Sequence, residues 1–74
     1  MPSDFDKDFI NQFRITEREI EIVELLKDGL TNYQVADQLN ISIHTVETHR
    51  KNVMHKLGVN NLASLLKFFN DHRS

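Results

Sequence analysis

Two helical segments separated by a very short turn constrain the fold of this chain more than any other feature. Thr31 and Gln34 have the T-x-x-Q spacing of a capping box, and they predict a helix over about Asn32–Leu39. Asn40 follows, and asparagine is second only to glycine in adopting the left-handed conformation of a tight turn. Ser42 then caps the next helix only three residues after the previous one ends. This order of elements is the helix-turn-helix pattern.

A capping box also predicts the helix that precedes this pair. Thr16 and Glu19 have the S/T-x-x-E spacing, and apolar residues recur at intervals of three and four as far as Leu30. The predicted helix covers about Glu17–Asp28. Gly29 ends it, because glycine adopts a left-handed conformation without steric cost.

Two more helices are predicted towards the C-terminus. The helix after the tight turn runs to Leu57, and Gly58 stops it. Asn60 or Asn61 then caps a last helix over about Asn61–His72.

These helices predict an all-α fold, a compact four-helix (tetrahelical) helix-turn-helix domain over residues 15–74. Residues 1–14 form an N-terminal extension or linker. Ser3 with Asp6 would cap an extra helical turn there, with Phe5, Phe9 and Phe13 on one side; the alternative is a linker from an upstream domain. A start at Met1 suits a complete protein or a fragment of a longer one, and we favour the fragment.

Composition narrows the possible functions. The chain has 74 residues and no cysteine, which excludes disulfides and thiolate metal sites. No apolar run approaches the roughly 18 residues that a membrane span needs, so we expect a cytoplasmic protein without a membrane partner. The net charge of −2 is unevenly distributed, because residues 1–28 carry eight acids and four bases, and residues 29–74 five bases and three acids.

The histidines do not form a metal-binding pattern. His44 and His55 share a helix face but are eleven residues apart, about 16 Å at 1.5 Å per residue, and His49 points to nearly the opposite side. No nucleophile lies beside an oriented base, and no glycine-rich loop would hold a nucleotide. We therefore expect no metal, no cofactor, no small-molecule ligand and no enzymatic activity.

The helix after the tight turn has an apolar stripe and a polar face. At about 100° per residue, Val46, Val53 and Leu57 fall together. The opposite face carries His44, Thr48, Lys51 and His55, with Glu47 and Asn52 at its edges. A continuous polar face beside a tight turn is typical of a helix that enters the major groove of DNA.

Five short motifs occur in order: T-x-R-E at Thr16–Glu19, G-L-T-N at Gly29–Asn32, V-A-x-x-L at Val35–Leu39, I-S-x-x-T-V-x-x-H at Ile41–His49 and N-V-x-x-K-L-G-V at Asn52–Val59. Together they resemble the LuxR-type helix-turn-helix domain, the output domain of many bacterial response regulators and quorum-sensing regulators. The sequence departs from that family at Leu62, usually a basic residue, and at Glu47, where many relatives carry lysine.

The resemblance implies that the third predicted helix, about residues 43–57, reads base edges in the major groove. Lys51 suits guanine O6 and N7, Glu47 suits cytosine N4, and the Thr48 methyl group suits a thymine methyl group. Thr31 and Asn32 are expected to bind phosphate through free N–H groups at a helix N-terminus. The remaining DNA-binding candidates are His44, Thr45, Asn52, His55 and Lys56.

Few basic residues predict few phosphate contacts and weak DNA binding by one copy. The resemblance implies a homodimer on DNA, formed by the fourth predicted helix through Ser64, Phe68 and nearby Leu65; alternatively, Phe68 covers the domain's own core. RNA polymerase is a further candidate partner. Two other interpretations stay open, a sigma-factor-like promoter-recognition domain and a small helical protein-interaction module that uses the acidic first helix.

Overall fold

Five α-helices make up the part of the chain that the computed structural model describes, residues 7–71. They are α1 (Lys7–Phe13), α2 (Glu17–Lys27), α3 (Asn32–Leu39), α4 (Ile43–Leu57) and α5 (Leu62–Asp71). The helices α2 to α5 confirm the four predicted helices and the all-α fold, and α1 is the extra N-terminal helix. Ser3, Phe5, Asp6 and His72, which also entered the helix predictions, lie outside the described residues.

Contacts between residues three apart begin α2, α3 and α4. Thr16 Oγ1 accepts from the Glu19 N–H at 3.1 Å, and Glu19 Oε1 accepts from the Thr16 N–H at 2.9 Å. At the start of α3, Thr31 Oγ1 accepts from the Gln34 N–H at 3.2 Å, and Gln34 Oε1 accepts from the Thr31 N–H at 2.9 Å. Ser42 Oγ accepts from the Thr45 N–H at 3.0 Å. Both predicted capping boxes and the Ser42 cap are therefore confirmed.

The turn between α3 and α4 has the left-handed residue that the helix-turn-helix pattern predicted. Asn40 has φ 57° and ψ 46°, and the Ile41 N–H donates to the Ala36 carbonyl at 3.0 Å. Glycines end α2 and α4 as predicted, with Gly29 at φ 96° and Gly58 at φ 69°. Of the two asparagines predicted to cap α5, Asn61 does so, because its Oδ1 accepts from the Ser64 N–H at 2.8 Å.

Two buried clusters hold the helices together. The first joins α1, α2, α4 and α5 and consists of Phe9, Ile15, Ile20, Val23, Val53, Leu57, Leu65 and Phe69. The second lies beneath the helix-turn-helix and consists of Ile22, Leu26, Val35, Ala36 and Val46. Leu62 and Leu66 pack against both. Because α4 contributes to both clusters, its apolar stripe faces inward along the length of the helix.

The helix α1 packs on the domain rather than extending away from it. The Phe9 ring lies 5.5 Å from that of Phe69 and 5.6 Å from that of Phe68, measured between centroids. A left-handed residue, Arg14 at φ 56°, ends α1, and the Ile15 N–H donates to the Ile10 carbonyl at 3.0 Å. Within residues 7–71, no helix has the length and apolar character to span a membrane.

Candidate nucleic-acid interface

The outward face of α4 is polar along its whole length. Val46 and Val53 are fully buried on the inner side. The predicted outward residues are all exposed: His44, Glu47, Thr48, Lys51, Asn52 and His55. The structure therefore brings most of the predicted DNA-binding residues onto a single helix face, which has the dimensions to lie in a major groove.

An ordered hydrogen bond joins α4 to the start of α3. Arg50 Nη1 donates to Asn32 Oδ1 at 2.9 Å in a partly buried position. Asn32 is the first residue of α3, so the bond holds the N-terminus of α3 beside the middle of α4. The helical spacing of residues in α4 does not predict this role for Arg50. Eighteen residues separate the two partners, and no local spacing rule covers such a distance.

A groove of about 660 Å³ runs along this side of the domain. Its lining consists of Asn32, Glu47, Arg50, Lys51, Asn52, Met54, His55 and Val59. Three of these, Arg50, Met54 and Val59, were not among the predicted site residues. The groove combines cationic, anionic and amide groups with two apolar side chains, a mixture that suits base edges and sugar rings better than phosphate alone.

The hydroxyl groups of α4 are hydrogen-bonded within the helix. Thr48 Oγ1 donates to the His44 carbonyl at 3.0 Å, and Thr45 Oγ1 lies 2.8 Å from Ser42 Oγ. Since the Thr48 hydroxyl proton is already engaged, Thr48 presents its methyl group and an acceptor oxygen. This arrangement agrees with an apolar contact to a thymine methyl group rather than hydrogen-bond donation to a base.

One predicted phosphate contact, Lys56, is placed elsewhere. Lys56 Nζ lies 2.8 Å from Glu19 Oε1 and 2.9 Å from Glu19 Oε2. It also donates to the Arg14 carbonyl at 2.9 Å. Lys56 thus points to the α1–α2 turn and not to the outward face of α4, which carries most of the other predicted DNA-binding residues.

The three residues predicted to form a dimer contact lie in different environments on α5. Leu65 is fully buried in the core, so its side chain is not part of the exposed surface of α5. Phe68 is half-buried, and its ring lies 5.8 Å from the Phe13 ring in an edge-on arrangement. Ser64, one turn earlier, is half-exposed. Residues of α1 therefore cover part of the ridge on which the dimer contact was predicted.

Residues 14–69 match the sequence model of a family described as bacterial regulatory proteins, luxR family. The chain belongs to this family. The luxR-family match decides against the sigma-factor alternative. It also agrees with the motifs between Thr16 and Val59, all of which lie inside the matched residues.

Several curated luxR-type relatives are response regulators. The uncharacterized response regulatory protein YgeK of Escherichia coli (strain K12) is 48% identical over 54 residues, which cover 73% of this chain and 37% of that protein. The nitrate/nitrite response regulator protein NarP of the same strain is 39% identical over 59 residues, 80% of this chain and 27% of that protein. The chain thus spans less than two fifths of the length of these relatives.

Solved response regulators share the fold. The response regulator StyR superposes with a TM-score of 0.77 at 37% identity over 89% of this chain and 34% of that one. RcsB of Salmonella typhimurium, studied for its interaction with DNA, gives 0.74 at 33% identity over 77% of this chain and 28% of that one. The chain is a luxR-type helix-turn-helix domain, a type found in DNA-binding transcription regulators rather than enzymes.

Proposed function

We propose that this chain binds double-stranded DNA sequence-specifically, with α4 in the major groove, as the output domain of a bacterial transcriptional regulator. The observation that carries the proposal is the exposed polar face of α4, with the N-terminus of α3 held beside it by the Arg50–Asn32 hydrogen bond. In a helix-turn-helix protein the second helix enters the groove while the first lies across the backbone.

The proposed base contacts come from the middle of α4. Lys51 donates to guanine O6 and N7, Glu47 accepts from cytosine N4, and the Thr48 methyl group packs on a thymine methyl group. Asn52 and His55, one turn further along, contact sugar or phosphate.

The proposed phosphate contacts come from helix N-termini. The helix dipole favours an anion at Thr31 and Asn32 at the start of α3. Because the Thr31 N–H already donates to Gln34 Oε1 at 2.9 Å, the proposed donors are the Thr31 hydroxyl group and the Asn32 N–H. His44 and Thr45 occupy the equivalent first turn of α4. Because these contacts are mostly uncharged donors, we expect a shallow salt dependence for one copy.

We further propose a homodimer on two DNA half-sites, with the half-exposed Ser64 and the adjoining part of Phe68 at the contact. Two linked copies bind two half-sites more tightly than either copy binds one, by the usual gain in effective concentration. We place this regulator in the cytoplasm, where bacterial DNA lies, and propose RNA polymerase as the partner on which DNA-bound copies act. No residue is assigned to that last contact.

The proposal is tested by titrating isotope-labelled protein with a generic DNA duplex at low and moderate salt. Backbone amide shifts are expected at Thr31–Asn32 and across His44–His55, and they should fade as salt rises. An absence of shifts at low salt would contradict DNA binding. Shifts confined to Glu17–Lys27 on addition of a protein partner would favour the protein-interaction module instead.

A further inference from the structure

We infer that Lys56 is a positioning residue for DNA recognition: it fastens the C-terminal end of α4 to the α1–α2 turn, sets the direction of the reading helix and makes no contact with DNA. The inference rests on the proposed function, because the direction of α4 affects binding only if α4 enters the groove.

The Lys56 ammonium group is partly exposed and makes three hydrogen bonds to other residues of the domain. It has three N–H donors, and the structure gives it three acceptors at 2.8 to 2.9 Å: both oxygens of Glu19 and the carbonyl of Arg14. No donor is left over for a phosphate group. Charge-assisted hydrogen bonds of this length are among the strongest that a lysine makes.

The partner carboxylate keeps Lys56 in place. Glu19 is only 2% exposed, and its Oε1 also accepts from the Thr16 N–H at 2.9 Å. If Lys56 swung outward to reach DNA, this carboxylate would stay buried without a compensating charge, which is strongly unfavourable. The capping box at the start of α2 therefore has a second role, because it presents a buried anion to the end of α4.

The contact of Lys56 with Glu19 lies at the end of α4, where it affects the direction of the helix most. Lys56 lies in the last turn of α4, whereas the Arg50–Asn32 bond holds the middle of the helix against α3. Apolar packing of Val53 and Leu57 favours burial but is not directional. The Arg50–Asn32 and Lys56–Glu19 contacts lie at two points along α4 and together fix the direction of the helix axis. When one of them is lost, α4 can rotate about the other.

The salt dependence of DNA affinity shows whether Lys56 positions α4 or contacts a phosphate group. The slope of log Kobs against log[salt] changes by about 0.9 for each phosphate contact on duplex DNA. Three variants each remove one positive charge: Lys56→Gln, Lys51→Gln in the proposed interface, and Lys67→Gln on α5. Lys67 is exposed and pairs only with Asp71, at 3.2 Å, among the described ion pairs, so it controls for net charge.

We expect Lys56→Gln to weaken binding several-fold at every salt concentration while leaving the slope at the wild-type value. Lys51→Gln should weaken binding and, where Lys51 contacts the backbone as well as a base, also reduce the slope. Lys67→Gln should change neither. The conservative variant Lys56→Arg, which can bond both Glu19 oxygens, should restore wild-type affinity.

A second measurement distinguishes a positioning role of Lys56 from a role that only stabilises the fold. Affinities are measured at a temperature where each variant is fully folded, and residual dipolar couplings report the angle between α4 and α2. If Lys56→Gln does not fold, Glu19→Gln with Lys56→Gln removes both charges and is measured in its place. The expected result is a changed α4 angle together with weaker binding.

Three results would overturn the inference. A slope reduced by about 0.9 in Lys56→Gln would make Lys56 a phosphate contact. A less stable variant with wild-type affinity, slope and helix angle would make the ion pair purely stabilising. If the wild-type chain showed no salt-dependent DNA binding, the proposed function itself would fail and the inference with it, and this case differs from the others because no variant is needed to see it.

Discussion

Asn40 lies in the left-handed region, at φ 57° and ψ 46°, at the turn between α3 and α4. For most residues this conformation places Cβ close to the carbonyl oxygen, and asparagine tolerates it because its short polar side chain can hydrogen-bond locally. The turn sets the angle between the two helices of the helix-turn-helix. A single backbone conformation therefore matters for both stability and the presentation of α4.

We expect Asn40→Ala to lower the free energy of unfolding by roughly 1 kcal/mol, because the alanine Cβ lies too close to the carbonyl oxygen in the left-handed conformation. Asn40→Gly is the matched control and should be neutral or slightly stabilising, since glycine has no Cβ. Urea denaturation of both variants measures the difference. Equal destabilisation by the two would show that the asparagine side chain, not the backbone conformation, is what matters.

Thr48 allows a test of base contact without altering charge. Its hydroxyl donates to the His44 carbonyl, so the methyl group is the part left for the proposed contact with DNA. Thr48→Ser removes the methyl group and should weaken binding to a site with the contacted thymine by about fourfold, the equivalent of ~0.8 kcal/mol for one buried carbon. Thr48→Val keeps the methyl group and should bind nearly as well as the wild type. Weaker binding by Val than by Ser would assign the contact to the hydroxyl.

At the scale of helices, aromatic packing holds α1 on the rest of the domain. Phe9 is buried with the residues of α2, α4 and α5, and Phe13 lies edge-on to Phe68. A seven-residue helix has little stability of its own in water. The helix α1 therefore persists because its aromatic side chains pack on α5, and not because of its local sequence.

Phe13→Ala should lower the free energy of unfolding by roughly 1–3 kcal/mol, less than for a fully buried phenylalanine because Phe13 is half-buried. Hydrogen exchange should accelerate in Lys7–Phe13 while α3 and α4 keep wild-type protection. Gln12→Ala, at an exposed position of the same helix, is the control. A uniform loss of protection across all helices would mean that α1 is part of one cooperative unit with the rest of the domain.

At the scale of the whole molecule, the distribution of charge and the exposed surface of α5 bear on the proposed dimer. The acidic residues concentrate before Gly29, eight against three after it, whereas the bases divide into four and five. The chain therefore has a net charge of −2, and the residues after Gly29 are mildly basic. Phe68 is an unsuitable residue for testing the dimer, because it also holds α1 through Phe9 and Phe13. Ser64 lies on the same ridge without being part of either core cluster.

Ser64→Glu places like charges opposite each other if two copies meet along this ridge. We expect weaker binding to a duplex with two half-sites and unchanged binding to one half-site, measured by fluorescence anisotropy on both duplexes. Ala63→Glu is the matched control, since it adds the same charge in the same first turn of α5 on a different side of the helix. Equal behaviour of the two variants on the two-site duplex would place the dimer contact elsewhere.

The helices and the exposed face of α4 were predictable because their causes lie close together in the sequence. Each cap pairs residues three apart, and Val46, Val53 and Leu57 recur at helical spacing. These local rules also gave the turn at Asn40 and the stop at Gly58. The same spacing placed Glu47, Thr48 and Lys51 outward, which the structure confirms for their exposure and leaves as a prediction for their contacts with DNA.

Tertiary packing decides the contacts of four side chains that local spacing does not predict: Lys56, Arg50, Leu65 and Phe68. Lys56 finds Glu19 across 37 positions and Arg50 finds Asn32 across 18, so no periodicity could reveal these pairs. Leu65 faces the core and Phe68 faces α1 because of how α5 is rotated against its neighbours. The amino-acid sequence alone determined the helices, their ends and the polar face of α4, since those depend on residues within one or two turns. Only the tertiary structure decided which lysine of α4 is exposed and which is paired within the domain, because the buried carboxylate of Glu19, 37 positions earlier in the chain, pairs with Lys56.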